Sequence, residues 1–242
     1  MKKRNFSKNL AVFLIAGSVA FTATGPAQAE EDSAMARGGR LYDKWYKVVG
    51  VDAPEQSHPA YPADKKYADK PEANWRCKEC HGWDYKGANG AYAEGKHSTG
   101  IKGIDGMFGA DPAKVVAVLK DSTHGYDGKM EDQDFQDLAI FVSKGQVDMS
   151  KYIDYASKEP KGGNASQGAA YFNTMCFGCH REDGSRPKDM DKTLGAQMGN
   201  PQEVMHKILN GQPDEKMPAL RALDRQIVVD LLAHIKTLPK ER

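Results

Sequence analysis

The residues of this chain that stand out chemically are its four cysteines, because all four fall into two copies of one pattern. Cys77-Lys78-Glu79-Cys80-His81 and Cys176-Phe177-Gly178-Cys179-His180 each read C-x-x-C-H, the attachment signal for a c-type haem. Two thiols three residues apart sit on one helical turn, from which both can add to the vinyl groups along one edge of a haem. The adjacent histidine then ligates the iron from the proximal side. Four cysteines in an exported chain also suit two disulfides, but the repeated spacing favours the haem. A four-cysteine zinc site has about 15–20 residues between its pairs, whereas 95 intervene between Cys80 and Cys176. Thioredoxin-like pairs belong to a βαβ pattern that is absent here. The pattern predicts two haem c groups held by Cys77, Cys80, Cys176 and Cys179, with His81 and His180 as proximal ligands.

The second axial position of each iron, filled or open, separates electron transfer from catalysis. In the second half Lys216-Met217-Pro218 follows His180 by 37 residues in a loop between two expected helices, and Met217 is the expected sixth ligand. In the first half Lys129-Met130 holds the matching place, 49 residues after His81, but with Glu131 rather than proline next. Met130 is the expected ligand there. His124, six residues upstream, offers a competing imidazole, and His97 and Met107 lie in the glycine-rich stretch between. Tyr42 and Tyr171 are read as helix-packing residues, Trp75 and Trp83 as packing against the porphyrin, and His58 as a solvated loop histidine. His206 and His234 fall on helices and need no function. Asp132, Asp134 and Asp137 suit a helix N-terminus. No Ser-His-Asp set, phosphate loop or carboxylate pair stands out.

The elements that must position these residues also repeat. Gly168 and Tyr171 precede Cys176 by eight and five residues, and the same Gly-x-x-Tyr occurs at Gly39 and Tyr42, but 38 residues before Cys77. The first half therefore carries an insertion, about residues 47–76. With Pro54, Pro59, Pro62 and Pro71 it reads as an irregular loop. Downstream, Asp111-Pro112 and Asn200-Pro201 place a capping side chain before a proline at the first helical position. Val115, Val116 and Leu119 then match Val204, Met205 and Ile208 at helical spacing, with Gly125 and Gly211 as expected stops. Each half ends in a further helix, through Phe135, Leu138, Phe141 and Val142 and through Val228, Leu231, Leu232 and Ile235. Nothing reads as a strand. The expected organisation is a signal peptide over 1–29, a first domain over 30–144, a linker over 145–165 and a second domain over 166–242.

Of the 242 residues, 40% are apolar and 28% charged, the composition of a globular protein. The 34 basic and 33 acidic residues give no basic face for nucleic acid. Lys2 to Lys8 forms a positive segment, Leu10 to Ala23 an apolar run of 14 residues, and Ala27-Gln28-Ala29 a small-residue cleavage site. That run is shorter than the roughly 18–20 residues that span a bilayer. The expectation is export with cleavage after Ala29, and a mature chain with no transmembrane segment and no nucleic-acid partner.

Together these motifs resemble the small monohaem cytochrome c fold, twice over, across roughly residues 35–46 with 77–144 and then 165–242. The resemblance implies an all-α fold of two tandem cytochrome c-type domains, each wrapped round a covalent haem, in a layout similar to the dihaem cytochrome c4 group of bacterial periplasms. It departs from that group in the insertion before Cys77 and in lacking a proline after Met130. The implied function is periplasmic electron transfer between redox proteins. The alternative is a dihaem oxidoreductase, or its electron-transfer subunit, acting on a small inorganic substrate at haem 1. A cysteine sixth ligand, as in the thiosulfate dehydrogenase family, is unavailable because all four cysteines are used.

Overall fold

The computed structural model of the protein describes residues 26–242, so the basic segment and apolar run of the expected export signal lie outside the described residues. Among the described residues there are ten α-helices and no strand, pairing being limited to isolated bridges at Gly87–Lys102 and Ile153–Pro160. None of these helices is long and apolar enough to cross a membrane. The architecture is all-α, as expected.

The first half holds α1 (Pro26–Val49), α2 (Pro71–Asn74), α3 (Cys77–His81), α4 (Pro112–Leu119) and α5 (Asp132–Ile140), the last running into a π-helical turn, Phe141–Gly145. The second half holds α6 (Ala165–Met175), α7 (Phe177–His180), α8 (Leu194–Gln197), α9 (Pro201–Asn210) and α10 (Arg225–Ile235). In each half the opening helix crosses the closing one, α1 on α5 and α6 on α10. Both crossings depend on a glycine. A Cβ on Gly38 would lie 2.1 Å from the Asp137 carbonyl oxygen, and one on Gly168 would lie 1.9 Å from that of Asp230. The structural counterpart of Gly168 is thus Gly38 rather than Gly39, one residue off the register of the Gly-x-x-Tyr match. One residue turns a helix by about 100°, so Gly39 faces elsewhere: its Cβ would lie 2.3 Å from the Asn210 side chain, where α1 meets α9.

The expected apolar stripes are buried, and Tyr42, Phe135, Leu138 and Phe141 join Phe172, Met205, Val228 and Leu231 in one continuous core. Asp111 caps α4 as expected, accepting from the Ala113 N–H at 2.9 Å. Asn200 does not cap α9; its amide donates to Glu203 at 3.1 Å instead. Gly211, at φ +86°, closes α9, whereas α4 stops at Leu119 and Gly125 closes the turn that follows. The stretch 47–76 is largely irregular, but α1 runs into it, α2 lies within it, and it is mostly surface chain pinned by a few buried side chains. His58, Tyr61 and Trp75 are buried, so His58 is not the solvated histidine expected. Residues 145–165 are anchored rather than buried throughout: Met149 and Ile153 are fully buried, and the Lys161 backbone N–H donates to the Tyr152 carbonyl at 2.7 Å.

A buried polar seam joins the halves. Asp43 on α1 pairs with Arg76 and with Lys207 of α9, the latter at 2.9 Å. Burial alone would raise the Asp43 carboxyl, but Lys207 and Arg76 hold it well below its ordinary range. His206 is completely buried, with Nε2 2.9 Å from the Gly39 carbonyl and Nδ1 2.8 Å from the Tyr85 hydroxyl. A carbonyl can only accept, so Nε2 carries the proton and Nδ1 accepts from Tyr85; the neutral ring is satisfied on both sides. Arg40 donates to the Asn210 carbonyl at 2.9 Å, and Arg221 to its side-chain oxygen at 2.6 Å. His206 thus has a structural role that its helical position alone does not reveal.

Burial pushes His206 down to about 4, with Asp43 working against the shift and Lys207 and Arg221 with it. Its unfolded value is near 6.5, so its contribution is complete above about pH 6.5 and is lost as pH falls towards 4; over that window we expect a loss on the order of 2–3 kcal/mol. Thermal unfolding should follow, with the melting temperature of the wild type falling across the window while that of His206→Gln starts lower and stays flatter. Parallel curves would remove His206 as the titrating group.

Candidate functional site

The two C-x-x-C-H segments form the short helices α3 and α7, and all four cysteines are free thiols. Burial pushes Cys77 up to about 11, Cys80 up to about 12 and Cys176 up to about 11, so these thiols are un-ionised at neutral pH. Among the described residues no group of three or more His, Cys, Asp or Glu side chains gathers to hold a metal ion. Each cysteine pair is followed directly by its own histidine, Cys77 and Cys80 by His81 in α3, and Cys176 and Cys179 by His180 at α7.

Both histidines are oriented the same way. His81 Nδ1 lies 2.7 Å from the Lys102 carbonyl, and His180 Nδ1 lies 2.9 Å from the Arg186 carbonyl. A carbonyl accepts, so in each ring Nδ1–H donates and Nε2 is left as the unprotonated, ligating nitrogen. This is the second-shell arrangement that fixes the tautomer of an iron- or zinc-bound imidazole. Burial pushes His81 down to about 4, which keeps the ring neutral at physiological pH. The chain turns sharply after each histidine with positive φ, +79° at Gly82 and +59° at Arg181. The Gly82 carbonyl accepts from the Tyr42 hydroxyl at 2.6 Å, tying α1 to the first turn. The free thiols, the anchored Nδ1 atoms and the free Nε2 atoms fit the donor set of a covalently held haem in both halves.

The wall around α3 is aromatic. Trp45 donates to the Trp75 carbonyl at 3.0 Å, Tyr126 donates to the same carbonyl at 3.0 Å, and the Tyr126 hydroxyl lies 3.8 Å from Cys77 Sγ. Trp83, expected beside the porphyrin, instead lies in the seam, its ring centre 5.1 Å from that of His206 and flanked by Arg76, Lys78 and Lys207. His97 is stacked between Tyr67 and Tyr92 and bonded to Glu79 at 2.6 Å, so it is committed elsewhere as a possible ligand. Met107, Met130 and Met217 are all half-buried against the core. His124 stands opposite His81, with ring centres 6.4 Å apart and planes 22° apart. Its backbone N–H and its Nδ1 both contact the Asp121 carboxylate, at 2.9 and 3.1 Å. The Asp121-x-x-His124 spacing was the available signal for that anchoring, but the partner ring comes from α3 and only the folded chain brings it near.

Inside the first motif Glu79 is almost fully buried, paired with Lys78 at 2.6 Å and with His97. Burial works to raise its carboxyl, yet His97 and Lys78 pull it below its ordinary value. Glu79→Gln strands a buried lysine and should cost about 3 kcal/mol. A drop in melting temperature of roughly 6–12 °C, with the visible spectrum unchanged, is the expected result; an unaltered melting temperature would show the pair to be idle.

A model of the family described as cytochrome c oxidase, cbb3-type, subunit III matches residues 163–235, from just before α6 to the end of α10. No curated protein and no solved structure matches the chain. The matched span contains Cys176, then α7 with Cys179 and His180, and Met217 in the loop before α10. Over this span the chain is similar to a c-type cytochrome domain, and the match supports haem c, electron transfer and redox partners.

Proposed function

We propose that the protein is an exported dihaem cytochrome that carries electrons between redox partners in the periplasm. The observation that carries this reading is the presence, in both halves, of one C-x-x-C-H turn whose histidine donates from Nδ1 to a backbone carbonyl and leaves Nε2 free. Cys77, Cys80 and His81 hold the first haem, and Cys176, Cys179 and His180 the second. Met217 completes the second iron; the first has Met130 and His124 on one loop as its candidates. When bound, each haem supplies one reversible electron at the iron. The protein sets the potential through the axial ligands and the surrounding dielectric, orients the proximal imidazoles, and excludes water from the rings.

The wall of Trp45, Trp75 and Tyr126 serves that exclusion at the first site. At the second, Phe177 is half exposed between the two cysteines, an apolar contact suited to the small interfaces of transient redox complexes. The polar seam holds the halves together, so that an electron entering at one haem can leave from the other. The basic segment, apolar run and small-residue site at the N-terminus support export.

The test is the covalent haem count of protein matured in a periplasm. Pyridine haemochrome and intact mass should give two haems per chain, with one left in Cys77→Ser/Cys80→Ser and one in Cys176→Ser/Cys179→Ser. A single haem in the wild type would overturn the dihaem reading.

A further inference from the structure

We infer that the first iron is held between two imidazoles, His81 and His124, with His124 rather than Met130 as its sixth ligand. The inference rests on the dihaem reading above and deepens it. A metal lies about 2.0–2.1 Å from an imidazole nitrogen, and a ring nitrogen about 1.2 Å from its ring centre, so two imidazoles in line across one metal have centres about 6.4 Å apart. His81 and His124 are at that separation, 6.4 Å, with their planes only 22° apart. Each ring also has its Nδ1 engaged, His81 by the Lys102 carbonyl at 2.7 Å and His124 by the Asp121 carboxylate at 3.1 Å. Carbonyl and carboxylate are the two protein partners that outer-shell hydrogen bonds give to metal-bound histidines. Both Nε2 atoms are left free.

The loop that carries His124 is built to hold it. Asp121 accepts from the backbone N–H groups of Thr123 and His124, both at 2.9 Å, as well as from the ring, so one carboxylate sets the turn and the imidazole together. From the other side His58 Nε2 lies 2.9 Å from the His124 carbonyl, while His58 Nδ1 is 3.2 Å from the Ala60 N–H. His58 therefore donates to His124 and accepts from Ala60. Its own backbone N–H donates to Asn74 at 2.9 Å, and its ring packs edge-on against Trp75, 4.4 Å between centres. The insertion thus acquires a role: His58 and Asn74 brace the His124 turn. Lys129 donates from its backbone N–H to the Tyr126 carbonyl and sets its ammonium over the Trp75 ring, and Met130 packs against the core, but no side chain hydrogen-bonds to the Met130 turn as His58 does to that of His124.

The consequence is an ordered pair of haems. Methionine–histidine ligation raises the reduction potential, so an iron between two histidines is the lower of the two. With both haems bound, His81 and His124 would hold the lower-potential iron and His180 and Met217 the higher, so one electron taken from a reduced redox protein would pass from the first site to the second and on to an oxidised partner, with no bond made or broken.

The experiment uses the ferric holoprotein, with covalent haem counted first. Fewer than two haems per chain overturns the dihaem reading itself. With two present, the wild type should show the methionine-to-iron charge-transfer band at half the intensity per haem of a protein ligated by methionine throughout. Met217→Ala should abolish the band and Met130→Ala should leave it unchanged. His124→Met should double it, and ferrous His124→Ala should take up one equivalent of carbon monoxide where the wild type takes up none. A redox titration should resolve two steps, with only the lower displaced in His124→Met. A full-intensity band in the wild type that Met130→Ala halves overturns the assignment, and those two proteins decide it even if variants at His124 do not mature.

Discussion

A helix crossing at glycine holds each half of this protein in shape. Where Gly38 meets the Asp137 carbonyl and Gly168 meets that of Asp230, backbone lies against backbone with no room for a Cβ. Such close approach fixes the angle and register of α1 on α5 and of α6 on α10, because a side chain of any size would push the helices apart. The C-x-x-C-H turns follow directly from, or are tied back to, these opening helices. α6 leads straight into α7, and Tyr42 on α1 reaches the carbonyl after His81. The placement of each proximal histidine is therefore inherited from a contact made well before it in the chain.

The halves are not free beads on a string. Asp43, His206, Asn210, Arg76, Lys207 and Arg221 form a largely buried set in which donors and acceptors are matched where α1 meets α9. Buried charge is costly unless paired, and breaking one partner leaves the other stranded. Such a seam favours one relative placement of the halves over near alternatives, since a shift of an ångström or two would unpair several groups at once. For a protein read as passing electrons between two haems, that fixed geometry is the useful property. The connector, anchored by Met149 and Ile153 in the core, acts in the same direction.

The insertion shows how far composition can mislead. Four prolines describe its irregular backbone correctly, yet give no sign that His58, Tyr61 and Trp75 are buried or that His58 braces the turn of His124. Proline reports on φ and on the missing N–H, both local quantities. Burial depends on what arrives from elsewhere. The same limit explains the Gly-x-x-Tyr match: its spacing identified the right two helices, but the contact surface chose Gly38 over Gly39, because helix facing is set by the partner and not by the nearest similar letter.

The sequence by itself determined the all-α class, the helix-closing Gly211, the cap at Asp111, the two Cys-His turns and the apolar stripes that became the core. These follow from spacing along one chain, since a helical period, a capping residue and a C-x-x-C-H turn each act within a few residues. Tertiary structure alone decided that Trp83 and His206 belong to an inter-half seam, that His97 is held by Glu79, and that His124 stands opposite His81. Those pairings join residues tens to over a hundred positions apart, and no local preference encodes them. They arise only when the glycine crossings bring the helices together and every buried polar group must find its partner.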